Sequence, residues 1–262
     1  MDSMTDPQAP DVLALEDGRR LAYHRTPARD EGAARPGVVF LGGFRSDMTG
    51  TKATHLEAAC RARGLAFLRF DYTGHGASSG DFEADGCIGA WARDAADALD
   101  RLTQGPQVLV GSSMGGWIAL LLAKRRPERL AGLVTVAAAP DFTEDSMWPA
   151  FSEAQRAELL DTGRLPLPSE YSDEPYVITR RLIEDGREHL VLREPLELPF
   201  PVRMLQGTAD ADVPQEKALT LLAHAEGPDI RLLLSKGSDH RFSGPRELAM
   251  LERALDEVAG PA

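Results

Sequence analysis

Cysteine is scarce in this sequence, which has two among 262 residues, Cys60 and Cys87. Two thiols cannot form the disulfide framework that holds many small secreted proteins together, so we interpret both as buried thiols. The sequence also lacks the HExxH and CxxC spacings that are typical of metal sites. We therefore expect neither a metal ion nor a cofactor.

Positively charged residues are also few relative to negatively charged ones. Lys and Arg number 29 against 41 Asp and Glu, which gives a formal net charge of -12, and no basic cluster lacks compensating acids. A chain with this charge repels phosphate backbones and anionic lipid head groups. Nucleic acid is therefore not an expected partner.

Long apolar runs and targeting signals are also missing. No apolar stretch reaches the roughly 20 residues that a membrane-spanning helix requires. The N-terminal sequence MDSMTDPQAPD is acidic, without the basic and apolar regions of a signal peptide or the arginines of a transit peptide. These absences predict a cytoplasmic protein with no membrane span. The hydrophobic and charged fractions, 43% and 27%, are typical of a globular chain, and we expect a single domain over residues 1–262.

Short apolar segments alternate with helical patterns along most of the chain. Helical patterns end at Gly64, Gly105 and Pro127, where glycine caps a helix or proline stops it. This alternation indicates an α/β fold with a mostly parallel sheet and helices on both faces. A polar–apolar pattern around Asp17 and Gly18 adds an antiparallel hairpin at the start. The predicted buried strands cover residues 37–43, 66–72, 107–113, 130–139, 202–207 and 230–235.

The alternation breaks at residues 141–198. This region has two short helical patterns around a proline-rich crossing, and we interpret it as a lid inserted between strands of the sheet. Its apolar side chains could line an acyl pocket or form the face by which the lid packs on the body. They are Met147, Trp148, Phe151, Leu159, Leu160, Tyr176 and Ile178, and a further aromatic residue, Tyr171, also lies in this region.

The sequence GSSMG, residues 111–115, follows a predicted strand and opens a predicted helix with no loop between them. It matches the pattern Gly-x-Ser-x-Gly, in which small residues permit a strained corner that exposes one serine hydroxyl. The glycine spacing centres on Ser113 and makes Ser112 the weaker candidate. We predict that Ser113 is a nucleophile, the alternative being a tight turn without chemistry.

A serine nucleophile needs a base that takes its proton and an acid that orients this base. In α/β folds with this corner, the chain order is serine, then acid, then histidine. Asp210 follows the strand at 202–207, and His240 follows the strand at 230–235. The order and the strand ends therefore predict Asp210 as the acid and His240 as the base.

Three other residues compete for these roles. Asp212 suits a turn that caps the next helix, and Asp239 adjoins His240, whereas neighbouring side chains rarely meet in triad geometry. His75 lies between two glycines in DYTGHG, where a turn role is the simpler interpretation. Asp210 and His240 remain the preferred pair.

The oxyanion formed during attack on an acyl group needs backbone N–H donors that already point at it. Met114 follows the nucleophile at a helix N-terminus, where N–H groups and the helix dipole favour negative charge. We predict the N–H of Phe44 as the second donor, because Gly42 and Gly43 let this loop come close. The two glycines could instead simply end a strand.

The sequence is similar to α/β-hydrolase fold serine hydrolases in five segments, which occur in the order FLGGFRSDMTGTKA, FLRFDYTGHGASSGDF, QVLVGSSMGGW, QGTADADVP and GSDHRF. Within them it most resembles the family of abhydrolase-domain-containing protein 10 and its bacterial relatives, described as palmitoyl-protein thioesterases and acyl-glucuronide esterases. The resemblance covers about residues 18–258. It implies Ser113, Asp210 and His240 as nucleophile, acid and base.

Two positions depart from the family pattern. Gln206 and Gly42 stand where a histidine is usual in many hydrolases of this fold. Neither position belongs to the triad, so the departures concern the support of the oxyanion loop rather than the activity itself.

The resemblance implies a cofactor-free enzyme that cleaves acyl esters or thioesters, with a small molecule or an acylated protein as substrate. Arg45 could attract a carboxylate such as that of a glucuronide, although a solvated surface arginine is the more common outcome. The alternatives are a C–C bond hydrolase with the same site and a non-catalytic ligand-binding protein on the same scaffold.

Overall fold

A computed structural model describes residues 9–167 and 176–260 of the chain. Its strands are β1 (Asp11–Ala14), β2 (Arg20–Thr26), β3 (Gly37–Leu41), β4 (Phe67–Phe70), β5 (Gln107–Ser112), β6 (Leu130–Val136), β7 (Arg164–Leu167), β8 (Tyr176–Thr179), β9 (Leu196–Glu197), β10 (Val202–Gly207), β11 (Ala225–Glu226) and β12 (Ile230–Ser235). Its α-helices are α1 (Thr51–Ala62), α2 (Phe82–Asp85), α3 (Ile88–Leu102), α4 (Met114–Arg125), α5 (Trp148–Ala150), α6 (Glu153–Thr162), α7 (Arg180–Arg187), α8 (Gln215–His224) and α9 (Pro245–Ala259).

The main sheet has eight strands in the order β1-β2-β4-β3-β5-β6-β10-β12. β2 pairs antiparallel with β1 and with β4, and the remaining neighbours pair in parallel. The mostly parallel α/β sheet is therefore confirmed, as is the hairpin at the start of the chain. Its turn contains Gly18, whose φ is +90°.

Side chains of the central strands alternate between two hydrophobic layers. In β3, Val38 and Phe40 pack with residues of α1 and α9, whereas Val39 and Leu41 pack with residues of α3 and α4. A strand that is covered on both faces is apolar at every position, which explains the run VVFL. Helices lie on both faces of the sheet, as the sequence predicts.

Several predicted elements are longer than the observed ones. The strand predicted over residues 130–139 ends at Val136, because Ala137 has a φ of +48°, outside the extended region. The helices predicted to end at Gly64 and Gly105 stop a few residues earlier, and both glycines adopt positive φ. Gly64 follows the last turn of α1 and ends this helix by its left-handed backbone, whereas α3 already ends before Thr103, whose backbone is extended.

The insertion, residues 141–198, leaves the sheet after β6 and returns before β10, and these two strands are neighbours. Its described part contains a π-helical turn at Thr143–Met147, three α-helices and the antiparallel hairpin β7–β8, whereas the sequence predicts only two short helices. Asp141 ties its two ends together. The fully buried carboxylate accepts the N–H groups of Val191 at 2.8 Å and Leu192 at 3.0 Å. We call this contact the Asp141 clasp.

Apolar side chains of the insertion mostly pack on the body. Phe151, Leu159 and Ile178 are at most 6% exposed and belong to the hydrophobic layer that contains α4. Leu160 is 48% exposed, so it faces solvent. Tyr171 lies outside the described residues. In the described parts of the chain, no helix is both long enough and apolar enough to cross a membrane.

Candidate active site

The predicted site residues follow three strands that end at the same edge of the sheet. Ser113 comes after β5, Asp210 after β10 and His240 after β12. In an open parallel sheet, ligands and reactive groups gather at the carboxyl ends of the strands. The topology therefore supports the placement that the sequence predicts.

The corner between β5 and α4 holds Ser113 in a strained backbone conformation. Its φ of +54° and ψ of -119° lie in a region that residues other than glycine rarely adopt. Ser112 ends β5 and is only 6% exposed, whereas Met114 already begins α4. The turning point is thus Ser113, as the glycine spacing predicts.

Both glycines that flank this serine in GSSMG are required by close packing. A Cβ atom on Gly111 would overlap the backbone of Gly115. A Cβ atom on Gly115 would overlap the carbonyl oxygens of Leu41 and Gly42. The corner has no space for a methyl group on either side, which explains the motif physically.

His240 and Asp210 form a direct hydrogen bond, with His240 Nδ1 and Asp210 Oδ2 2.9 Å apart. A carboxylate can only accept, so Nδ1 carries the ring proton and Nε2 keeps a lone pair. The Asp210 side chain is fully buried, whereas 23% of the His240 side chain is exposed. The histidine is therefore oriented as a base that can meet a substrate.

Four donors surround the Asp210 carboxylate. Oδ1 accepts the backbone N–H groups of Asp212 at 3.0 Å and Val213 at 2.8 Å. Oδ2 accepts the side-chain amide of Gln206 at 3.0 Å in addition to His240. Burial opposes ionisation, but the hydrogen bonds from His240 and Val213 hold the pKa of Asp210 below its ordinary value. Asp210 is thus kept as an anion.

Asp210, Asp212 and His240 also present oxygen and nitrogen atoms within 4.8 Å of one another, a spacing that a metal ion could use. The Asp210 oxygens already accept four N–H groups, and a cation would have to displace some of them. The cluster therefore fits an acid and base pair better than a metal site.

The three competing residues take part in turns. Asp212 supplies its backbone N–H to Asp210. Asp239 Oδ1 accepts the N–H of Phe242 at 3.1 Å. His75 is 4% exposed, and its Nε2 accepts the N–H of Arg45 at 3.2 Å. These contacts favour the turn roles over the catalytic ones.

The loop at residues 42–45 passes directly beside Ser113. A Cβ atom on Gly43 would lie 3.4 Å from Ser113 Cβ, so a side chain there would crowd the serine. At Gly42 the nearest atom would be the carbonyl oxygen of Ser46 at 3.9 Å, so this glycine is not sterically required. The close approach of the loop thus depends on Gly43, next to Phe44.

Met114 lies on the other side of Ser113 in the chain, as the first residue of α4. The first N–H groups of a helix have no acceptor within that helix, and they favour negative charge. The N–H groups of Phe44 and Met114 stay our prediction for the oxyanion donors.

Sequence reasoning missed two contacts at this site. Gln206, noted only as a departure from a family histidine, donates to the acid. Lys52 donates from Nζ to the carbonyl of Arg241, the residue after the base. Burial lowers the pKa of Lys52 to about 8. A cavity of about 200 Å³ is lined by Gly43, Lys52 and Arg241, among others.

Arg45 is exposed, as expected for a surface arginine, and its guanidinium also contacts two aromatic rings. Its guanidinium lies 4.7 Å from the centre of the Phe82 ring and 5.0 Å from that of Tyr176, which belongs to the insertion. Both distances suit cation–π attraction. Arg45 therefore links the loop at residues 42–45 to the insertion.

The sheet, the strained serine corner and the acid and base at the same edge are those of an α/β hydrolase. Comparison with known proteins agrees with this class. Residues 38–260 match the alpha/beta hydrolase family, and the chain belongs to that family.

Within this family, the chain is similar to particular members. The chain is 36% identical to the rat palmitoyl-protein thioesterase ABHD10, mitochondrial, over 239 residues. This alignment covers 91% of this chain and 78% of the rat protein. The mouse alpha/beta hydrolase domain-containing protein 10 has a similar structure, with a TM-score of 0.86 and 33% identity over 95% of this chain and 97% of that one. The crystal structure of a putative hydrolase from Agrobacterium vitis S4 gives a TM-score of 0.90 and 39% identity over 97% of this chain and 100% of that one. The resemblance described from the sequence is confirmed.

Proposed function

We propose that this hydrolase cleaves acyl esters or thioesters through an acyl-enzyme on Ser113, without a cofactor. The observation that carries the proposal is the Asp210–His240 pair at the sheet edge where Ser113 is held in the strained corner. The name of the rat relative, palmitoyl-protein thioesterase, supports long-chain thioesters as a substrate class. Acyl glucuronides are the second class that the resemblance implies.

The acylation half-reaction uses the free lone pair of His240. Nε2 takes the hydroxyl proton of Ser113 as Oγ forms a bond to the acyl carbon, and the N–H groups of Phe44 and Met114 stabilise the oxyanion. Asp210 stabilises the imidazolium. The intermediate then breaks its bond to the leaving oxygen or sulfur, which receives the proton from Nε2.

Deacylation repeats the same steps with water. His240 takes a proton from water as its oxygen attacks the acyl carbon, and the bond to Ser113 Oγ then breaks. The proton returns to Oγ, so the enzyme is regenerated and the carboxylic acid is released. Apart from the substrate and water, neither half-reaction needs a reactant.

The first test compares initial rates on paired oxoesters and thioesters with acyl chains from acetyl to palmitoyl. Ser113→Ala removes the nucleophile, and we expect kcat to fall on the order of 10⁶-fold, as for other serine triads. Ser112→Ala is the matched control, because it removes the neighbouring hydroxyl from β5, and it should keep most of the activity. Thermal melting of each protein checks that the fold is intact.

Each outcome has a defined meaning. A preference for long-chain thioesters would support protein or small-molecule thioesters as substrates. Activity that survives in Ser113→Ala would refute the nucleophile. If the wild-type protein turns over none of the pairs, the ester and thioester proposal fails, and the C–C hydrolase and the ligand-binding protein become the hypotheses to test.

A further inference from the structure

We propose that His75 is a positioning residue for the oxyanion donor Phe44, because its Nε2 atom holds the next peptide N–H along the chain, that of Arg45. This inference rests on the proposed function, since an oxyanion donor matters only if the enzyme transfers an acyl group. His75 would then support the reaction without touching the substrate.

The tautomer of His75 follows from its two neighbours. Nε2 lies 3.2 Å from the backbone nitrogen of Arg45, which can only donate. Nδ1 lies 3.3 Å from the carbonyl oxygen of Thr73, which can only accept. The proton therefore sits on Nδ1, and Nε2 offers a lone pair to Arg45.

The surroundings of His75 keep the imidazole neutral. Rings of Tyr72, Phe82 and Trp91 surround it, with centroid distances of 5.7, 5.0 and 5.2 Å. Burial lowers the pKa of His75 to about 4, and the nearby guanidinium of Arg45 also disfavours the cation. The Nε2 lone pair is thus available throughout the neutral pH range.

Arg45 is a residue that needs such an anchor. Its φ of +56° lies in the left-handed region, which costs a non-glycine residue roughly 1–2 kcal/mol. Backbone in this region persists only where the surrounding structure fixes it. The hydrogen bond to His75 fixes the peptide between Phe44 and Arg45.

The side chain of Phe44 is fixed by the same group of rings. It packs edge-on against Phe82 at 5.1 Å and Trp91 at 5.9 Å, the two rings that also contact His75. The backbone and the side chain of Phe44 are therefore held by one buried cluster. These two attachments restrict the Phe44 backbone and, through it, the preceding peptide, which carries the Phe44 N–H.

Two substitutions separate the hydrogen bond from the packing. His75→Phe keeps a ring in the cluster but removes the acceptor, whereas His75→Gln brings an amide oxygen close to the position of Nε2. We expect His75→Phe to lower kcat by about 10²-fold with little change in KM, since losing one oxyanion donor costs about 10²–10³. His75→Gln should recover most of this loss.

Tyr72→Phe is the matched control. It removes a buried hydroxyl beside His75, for which the described residues offer no hydrogen-bond partner, and it leaves the Arg45 N–H untouched. This variant should keep both kcat and KM. Thermal melting of all three variants separates an effect on folding from an effect on the rate.

A readout without activity tests the same contact. Nitrogen-15 NMR of the wild-type imidazole at pH 7 should show a proton on Nδ1 and none on Nε2. A proton on Nε2 overturns the proposal even if His75→Phe does not fold. So does a folded His75→Phe enzyme with unchanged kcat, or a folded His75→Gln enzyme no faster than His75→Phe. Failure of the proposed function looks different, since the wild-type protein would then be inactive or Ser113→Ala active.

Discussion

At the scale of single residues, the surroundings of Asp210 decide which ring nitrogen of His240 carries the proton. In Asp210→Asn, the amide has one acceptor oxygen, which the N–H groups of Asp212 and Val213 bind on the Oδ1 side. The new NH₂ group then faces His240 Nδ1 and drives the ring to the Nε2–H tautomer, which cannot accept the serine proton. We expect kcat to fall by about 10⁴-fold, measured on the best substrate of the ester screen.

Asp212→Asn is the control for this prediction. Asp212 supports the acid through its backbone N–H, and this group survives the substitution. The variant should therefore keep most of its activity. The opposite ranking of the two variants would assign the acid role to Asp212.

Chain order and strand ends predict Asp210 and His240 because reactive groups collect at the carboxyl ends of parallel strands. The roles of Gln206 and His75 cannot be predicted in this way. His75 bonds to a residue 30 positions away, and the contact depends on how two loops pack together. Polar contacts between loops leave no periodic pattern in a sequence.

At the scale of elements, the corner between β5 and α4 has no room for a larger residue at Gly111 or Gly115. Gly115→Ala would place a methyl group against the carbonyl oxygens of Leu41 and Gly42. We expect the free energy of unfolding to fall by about 1–3 kcal/mol, as for other overpacked sites. Urea denaturation with an unchanged m-value would measure this loss.

Gly42→Ala is the matched substitution for stability. The nearest atom to its Cβ would be the Ser46 carbonyl oxygen at 3.9 Å, an ordinary contact. The free energy of unfolding should change little. Equal losses in the two variants would mean that close packing at Gly115 is not what makes the corner intolerant.

The central strands are predictable because continuous apolar runs are typical of strands covered on both faces. The hairpin β7–β8 is not, because Pro166 lies in β7, opposite Val177, and proline argues against a strand. In a sheet of two strands both are edge strands, so a missing N–H is tolerated. Tertiary contacts, rather than the local sequence, therefore account for this strand.

At the scale of the whole molecule, the Asp141 clasp joins the two ends of the insertion. Asp141→Ala would leave the N–H groups of Val191 and Leu192 buried without their acceptor. Each such group costs about 1–3 kcal/mol, so the free energy of unfolding should fall by about 2–6 kcal/mol. Chemical denaturation measures this change, and faster proteolysis within the insertion would locate it.

Asp145→Ala provides the comparison. Asp145 forms an ion pair with Arg193, whose side chain is 45% exposed, and such pairs contribute about 0–1 kcal/mol. Its loss should be small and should not speed proteolysis. A loss as large as that of Asp141→Ala would mean that the clasp has no special role.

Two predictions about the whole chain stay predictions. The first is the single domain over residues 1–262. The second is the cytoplasmic location, inferred from an acidic N-terminal sequence. The names of the rat and human relatives place those proteins in mitochondria.

Because β6 and β10 are adjacent in the sheet, the insertion departs from and returns to nearly the same point. Such a detour can gain or lose residues over evolutionary time without shifting the register of any strand. It also divides the chain, with Ser113 encoded before it and Asp210 and His240 after it. The insertion can therefore change in length or sequence without moving the strands that Ser113, Asp210 and His240 follow.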